Sequence, residues 1–173
     1  MKEIYIILSH TGTILSRLIK LYTRMQYSHV SVSLDINANR MYSFGRKYPY
    51  NPFIGGFVEE STKYGMFKRF KNAEAIIFAF RITDEQYHKL AEEINMFYKN
   101  RQRYRFNMLG IIWAAFNKTF KRENYFYCAE FIKYILEKEN IVNNLPEVIK
   151  PNDLTTIPNL KLVYQGKLRE FYE

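Results

Sequence analysis

Apolar residues along the chain repeat in two ways, which predict strands in some segments and helices in others. Short runs of alternating or continuous apolar residues are typical of strands. Such runs occur at residues 3–8, 28–35, 40–46, 73–82 and 160–165, and a further strand is predicted at 167–171. The strands at 28–35 and 40–46 lie close together in the sequence, so we expect them to pair through a short turn.

Apolar residues spaced three and four positions apart predict four helices. They lie at residues 13–26, 83–100, 108–116 and 125–139. Thr83 and the two acidic residues after it form a typical helix start. The helix at 108–116 is apolar almost throughout, and we expect it to be buried in the core. The segment 47–66, which contains two prolines and a Gly-Gly pair, is predicted to be a long loop.

The order of these elements argues for an α+β fold. Helices and strands do not alternate regularly, as they would in a doubly wound parallel sheet. We expect a small, mostly antiparallel sheet with helices packed on it. The 173 residues, of which 47% are hydrophobic, suffice for one sizeable core, so residues 1–173 are expected to form a single domain.

Composition narrows the setting of the protein. A single cysteine cannot form an intramolecular disulfide, which fits a reducing compartment. The apolar stretch near the N-terminus follows an acidic residue and has no small-residue cleavage site after it. We therefore expect a buried strand there and not a signal peptide. Since no apolar run is long enough to span a bilayer, the protein is expected to have no transmembrane segment and to stay in the cytoplasm.

Basic residues outnumber acidic ones, with 26 Lys and Arg against 17 Asp and Glu and a net charge of +9. They cluster at 63–71, 99–105 and 121–122, with aromatic residues between them. A solvated basic face explains this pattern, and contact with anionic lipid or another polyanion is the functional alternative. Binding of single-stranded nucleic acid is disfavoured, because the chain has no zinc-site spacing, helix-turn-helix or ribonucleoprotein motif.

One cysteine and one histidine are a candidate nucleophile and base. Cys128 lies in the first turn of the helix at 125–139, where the helix dipole and unpaired amides stabilise a thiolate or an oxyanion. His29 lies near the start of the strand at 28–35, on its polar side. An imidazole that reaches the thiol would favour the thiolate. The alternatives are a buried cysteine that fills space and a surface histidine.

The sequences around these two residues resemble a known family. The histidine opens a strand in Ser28-His29-Val30-Ser31-Val32, and the cysteine begins a helix in Phe126-Tyr127-Cys128-Ala129-Glu130-Phe131-Ile132. Their order, with the histidine first, is the reverse of that in papain. The pattern resembles the circularly permuted NlpC/P60-like, papain-like cysteine hydrolases of the YiiX/YebB type, which have lecithin–retinol acyltransferase-like enzymes as wider relatives.

The resemblance implies a permuted papain-like fold and a role for each residue. Cys128 would be the nucleophile and His29 the general base, without a metal or cofactor. In such proteins a third polar residue orients the histidine from the next strand. The strand at 40–46 offers Ser43 but no carboxylate or amide, so Ser43 or a backbone carbonyl is expected to do this. Glu130 is expected to be structural, since it faces away from Cys128 on the helix.

Two functions remain open on this sequence. The first is a cysteine hydrolase or acyltransferase that acts on an amide, ester or thioester of a small molecule, lipid or peptide. The segment 47–64, rich in Pro, Gly, Tyr and Phe, would then line the cleft and accept an acyl chain or an apolar side chain. The second is a binding module on the same scaffold that contacts anionic lipid or another polyanion. The absence of a charged residue to orient His29 favours the second.

Overall fold

The structure, a computed structural model, describes residues 1–12, 26–37, 39–48 and 51–171. Within these residues the chain forms strands, α-helices and two short 3-10 segments. The strands are β1 (Lys2–His10), β2 (His29–Ser33), β3 (Met41–Tyr48), β4 (Asn51–Glu60), β5 (Glu74–Ile82), β6 (Arg105–Phe106), β7 (Tyr125–Phe126) and β8 (Lys161–Lys167). The α-helices are α1 (Gly65–Arg69), α2 (Asp84–Lys99), α3 (Met108–Ala115) and α4 (Cys128–Lys138), and the 3-10 segments are Pro151–Thr156 and Leu168–Phe171.

In the described part of the chain, six strands form one sheet in the order β4-β3-β2-β1-β5-β8. All neighbours in this sheet are antiparallel. The short strands β6 and β7 form a separate parallel pair. The expected α+β class with a mostly antiparallel sheet is therefore confirmed. The helices described are all too short or too polar to cross a membrane.

The core lies on both faces of the central strand β1. Ile4, Ile6 and Leu8 belong to the larger cluster, which includes the buried residues of α2 and α4. Tyr5 and Ile7 point to the other face, into a smaller cluster with β5 and Leu168. Because both faces are covered, the middle of β1 is a continuous apolar run at residues 4–8 and does not alternate with polar residues.

Four buried phenylalanines join the sheet to the helices. Phe44 lies on β3, Phe57 on β4, Phe97 on α2 and Phe131 on α4. Every pair among them has a distance between ring centroids of 5.2 to 6.0 Å. Such contacts add to the free energy gained by burying the rings. This aromatic cluster fixes α4 against β3 and β4.

The start of α2 is the one that the sequence predicts. Thr83 Oγ1 accepts a hydrogen bond from the Gln86 amide at 3.1 Å, and Gln86 Oε1 accepts one from the Thr83 amide at 3.0 Å. This capping box pairs two amides that a helix end would otherwise leave without a partner. The helix ends at Lys99, with Asn100 as its C-cap.

The prediction of a long loop at 47–66 is wrong. Most of this segment is β4, which pairs with β3, and α1 begins at its end. The Gly-Gly pair lies inside the strand because other backbone passes close to it: a Cβ on Gly55 would lie 2.6 Å from the Gly45 carbonyl oxygen, and one on Gly56 would lie 2.6 Å from that of Tyr104. These glycines allow the backbone of other segments to come close to β4, and they do not mark a turn.

Two other predictions need correction, and a third falls almost entirely outside the described residues. Residues 168–171 form a 3-10 segment and not a strand, with the buried Leu168 bonded through its amide to the Ala73 carbonyl at 2.8 Å. Helix α3 is not a buried core helix, because several of its apolar side chains are exposed. The helix predicted at 13–26 falls, apart from Gln26, outside the described residues.

The aromatic cluster yields a prediction for stability. Replacing the buried Phe97 by Ala removes its contacts with the other three rings, and we expect a loss of about 3–5 kcal/mol in unfolding free energy. The exposed Phe116 provides a matched control, for which the same substitution should cost less than about 1 kcal/mol. Urea unfolding of both variants measures the difference. Equal losses would mean that the cluster does not hold the fold together.

Candidate active site

The first residue of β2, the last residue of β4 and the first residue of α4 meet at one cleft. These residues are His29, Glu60 and Cys128, and all three line it. Helix α4 packs against β2 and β3, which brings its N-terminus to the sheet. The rest of the lining is mixed, with the polar residues Thr11, Ser28 and Arg46 and the apolar residues Met66, Phe67, Phe106 and Ile111.

Helix α4 begins at Cys128 because the chain before it is held in place. The residues of β7 pair with β6, and the Phe126 carbonyl accepts from the Asn107 amide at 2.9 Å. The Tyr127 hydroxyl donates to the Ile149 carbonyl at 2.8 Å. The thiol therefore lies in the first turn, next to amides that have no partner within the helix.

Glu130 serves the end of this helix and not the histidine. Its Oε2 accepts from the Tyr127 amide at 3.1 Å and from Asn107 Nδ2 at 3.4 Å. Burial raises the pKa of Glu130, and these hydrogen bonds oppose that rise. The carboxylate caps α4 from inside the fold, which agrees with the structural role expected for it.

A carboxylate holds the histidine ring. His29 Nε2 lies 3.0 Å from Oε1 and 2.9 Å from Oε2 of Glu60. Both side chains are largely shielded, with 19% and 11% of their surface exposed. With Nε2 donating to the carboxylate, Nδ1 is the ring nitrogen left for a second partner.

Two neighbours determine how Glu60 reaches the ring. Ser31, two residues after His29 and fully buried, donates its hydroxyl to Glu60 Oε2 at 2.6 Å. Strand β3 lies between β2 and β4, so the carboxylate must extend across it. The residue of β3 at this point is Gly45, where a Cβ would lie 3.5 Å from His29 Cε1 and 3.9 Å from Glu60 Oε1. A larger side chain at Gly45 would fill the space between the two groups.

The electrostatics of the cleft favour a charged imidazole. Burial of the ring lowers the pKa of His29. The charge of Glu60 and the hydrogen bonds to Cys128 and Glu60 outweigh this effect and raise the pKa to about 10. The Glu60 carboxylate therefore favours the protonated, positively charged form of the ring. The Cys128 thiol is a neighbour of this charge.

Ser43 does not make the contact with His29 that the sequence suggested. Its hydroxyl is fully buried and donates to the Val30 carbonyl at 2.6 Å, which links β3 to β2. The contact with the ring is made by Glu60 instead. The sequence did not indicate Glu60, because the segment of β4 was predicted to be a loop. A loop has no regular faces on which a carboxylate can be placed.

His10, the other histidine near the first strand, lies outside this arrangement. Its Nδ1 is 3.3 Å from the hydroxyl of Ser28, the residue before His29. It belongs to the end of β1, whose Ser9 is paired with His29. His10 is therefore close to the cleft through Ser28, while His29 is the histidine beside Cys128.

No protein-family model and no curated protein sequence matches the chain. Among solved structures, the crystal structure of the metalloprotein YiiX from Escherichia coli O157:H7, DUF1105, is similar to it, with a TM-score of 0.53. The match covers 95% of this chain and 97% of that chain, at 16% sequence identity. At this level of identity the similarity concerns the fold alone. The chain therefore has a YiiX-like α+β fold.

Proposed function

We propose that the protein is a cysteine hydrolase or acyltransferase with a permuted papain-like, NlpC/P60-like fold. It acts on an amide, ester or thioester and forms an acyl-enzyme on Cys128. His29 is the general base and acid, and Glu60 orients its ring. Ser31 and Gly45 are positioning residues, since they act through Glu60 and the imidazole.

One observation carries this proposal: a shielded carboxylate holds Nε2 of the same imidazole that neighbours a thiol at a helix N-terminus. A nucleophile, a base and a group that orients the base are the parts that acyl transfer requires. Sequence reasoning lacked the third part, and its absence was the main reason to favour a binding module. Glu60 removes that reason.

The charges of the cleft support the following sequence of steps. The protonated imidazole favours the thiolate of Cys128, which attacks the carbonyl carbon of the substrate. The helix amides at Cys128 stabilise the oxygen anion of the tetrahedral intermediate. His29 then gives its proton to the leaving amine, alcohol or thiol as the carbon–heteroatom bond breaks, and the acyl group stays on sulfur. Neutral His29 next accepts a proton from water or from another nucleophile that takes the acyl group. The deprotonated nucleophile attacks the thioester and releases Cys128.

The similar crystal structure is that of a metalloprotein, which makes a metal site the second chemistry to consider. Within the described residues, no group of three or more His, Cys, Asp or Glu side chains is arranged to hold a metal ion. In the cleft, His29 Nε2 is already held by the Glu60 carboxylate. These residues do not fit a metal centre, so we assign no step to one.

The thiolate can be tested by its reactivity. We expect Cys128 to react with iodoacetamide at pH 6 faster than a free cysteine, because the His29 imidazolium favours the thiolate. In His29→Ala the rate at this pH should fall by about tenfold or more. Intact-mass analysis over time gives both rates, and the single cysteine makes the site of modification unambiguous. A thiol that is inert, or equally reactive in both proteins, would contradict the proposal.

The acyl-enzyme can be trapped with an activated ester. With p-nitrophenyl butyrate, we expect a butyryl adduct on Cys128 in the native protein and none in Cys128→Ala. Glu60→Gln should slow its formation on the order of 100-fold or more, because the ring loses the charge that orients it. Ser43→Ala is the matched control and should change the rate by less than about threefold, since its hydroxyl bonds to Val30. The reverse order would assign the orienting role to Ser43.

The pKa of His29 also predicts how stability varies with pH. Its pKa is raised in the folded protein, from 6.5 to about 10. The stability that this raised pKa contributes is fully present below pH 6.5 and is lost as the pH rises through about 10. The difference in unfolding free energy between the native protein and His29→Gln should therefore shrink from pH 6 to pH 10. Urea unfolding at several pH values measures it, and a difference that grows with pH would refute a charged His29.

A further inference from the structure

Helix α3 presents an apolar face to solvent. Leu109, Ile112, Trp113 and Phe116 are spaced three and four residues apart, which places them on one side of the helix, and they are between 40% and 65% exposed. The opposite side, with Gly110 and Ala114, is buried. Leu109, Ile112, Trp113 and Phe116 are called the α3 face below. A contiguous apolar patch of this kind on a small protein marks an interaction surface.

The segments before and after α3 are rich in basic residues. Between residues 101 and 122 there are six basic residues and no acidic one. All six are exposed: Arg101, Arg103, Arg105, Lys118, Lys121 and Arg122. Lys118 Nζ lies 5.6 Å from the centroid of the Trp113 ring, and Phe120 stacks on the same ring at 6.4 Å. Positive charge and exposed aromatic surface are therefore adjacent.

We infer that the α3 face docks on an anionic lipid bilayer. Apolar and aromatic side chains would enter the boundary between headgroups and acyl chains, while the lysines and arginines remain at the anionic headgroups. Trp113 has the amphipathic ring that is common at this depth. An apolar helix face with mostly basic residues beside it is the pattern of an interfacial helix.

The charge argues against a second copy of the chain as the occupant. A symmetric dimer through the α3 face would bring the same surface of both protomers together, and with it Lys118, which lies beside Trp113, from both sides. Like charges that meet across an interface oppose association. One pair moderates the charge, since Lys121 Nζ lies 3.6 Å from Glu147 Oε1. The surface remains strongly basic, which suits anionic lipid.

The sole tryptophan of the chain lies on this face and reports on docking directly. We expect the emission of Trp113 to shift to shorter wavelength with vesicles of phosphatidylcholine mixed with phosphatidylserine, and much less with phosphatidylcholine alone. Raising the salt concentration should weaken binding, because it screens the basic residues. Co-sedimentation with the same vesicles gives the affinity.

Two pairs of variants separate this surface from general stickiness. We expect Ile112→Ser with Phe116→Ser to weaken vesicle binding by about tenfold or more. Ile36→Ser with Leu162→Ser is the control, since both residues are similarly exposed, at 54% and 53%, and it should have little effect. Lys118→Gln with Lys121→Gln should weaken binding by about tenfold or more. Lys2→Gln with Lys161→Gln removes the same charge elsewhere, also from exposed positions, and should have the smaller effect.

Several results would overturn the inference. They are equal losses in test and control variants, no preference for phosphatidylserine, and a Trp113 shift that grows with protein concentration without vesicles, which would indicate a dimer. Cys128→Ala should bind vesicles as the native protein does, because docking does not require the thiol. Failure of docking and failure of the proposed reaction are therefore distinguishable.

Discussion

The contact between Glu60 and His29 depends on strand register more than on any single side chain. The two residues lie on strands that are separated by β3, so they meet only if both side chains point to the same face of the sheet. The pairing of β3 with β4 places Glu60 opposite Met41 and Glu59 opposite Tyr42. A slip of one residue would exchange the faces of the two glutamates. Glu59 faces the other way, where it contacts Arg40 and the Tyr64 hydroxyl.

The register is fixed by packing on the opposite face. Phe44 and Phe57 are directly paired in β3 and β4, and both contact Phe131 of α4. A slip would pull Phe57 out of this cluster, which would cost far more than the loss of one hydrogen bond. Since Phe131 is three residues after Cys128, the same packing sets the position of the thiol. The carboxylate and the nucleophile are thus both placed by one aromatic core.

The parts of this arrangement that the sequence could predict are those that depend on local pattern. Periodicity gave the main strands and three of the helices, because each element shows its own spacing of apolar residues. His29 and Cys128 stood out through their short motifs. Glu60 did not, because its role depends on pairing between strands and on Gly45 between them. The proline and glycines of β4 are typical of a loop in the sequence alone. The reason for Gly55 and Gly56 is the backbone of other segments that passes close to them, which only the fold shows.

The site and the exposed helix are joined by a small polar network. Asn107 Oδ1 accepts a hydrogen bond from the Gly110 amide at 3.0 Å and so caps the N-terminus of α3. A Cβ on Gly110 would clash with the Asn107 side chain. Asn107 Nδ2 donates a hydrogen bond to Glu130 Oε2. The same oxygen accepts a hydrogen bond from the Tyr127 amide and so caps the N-terminus of α4. Helices α3 and α4 therefore share one carboxylate and one amide at their N-termini. The first turn of α4, where Cys128 lies, is therefore held through the same asparagine side chain that begins α3.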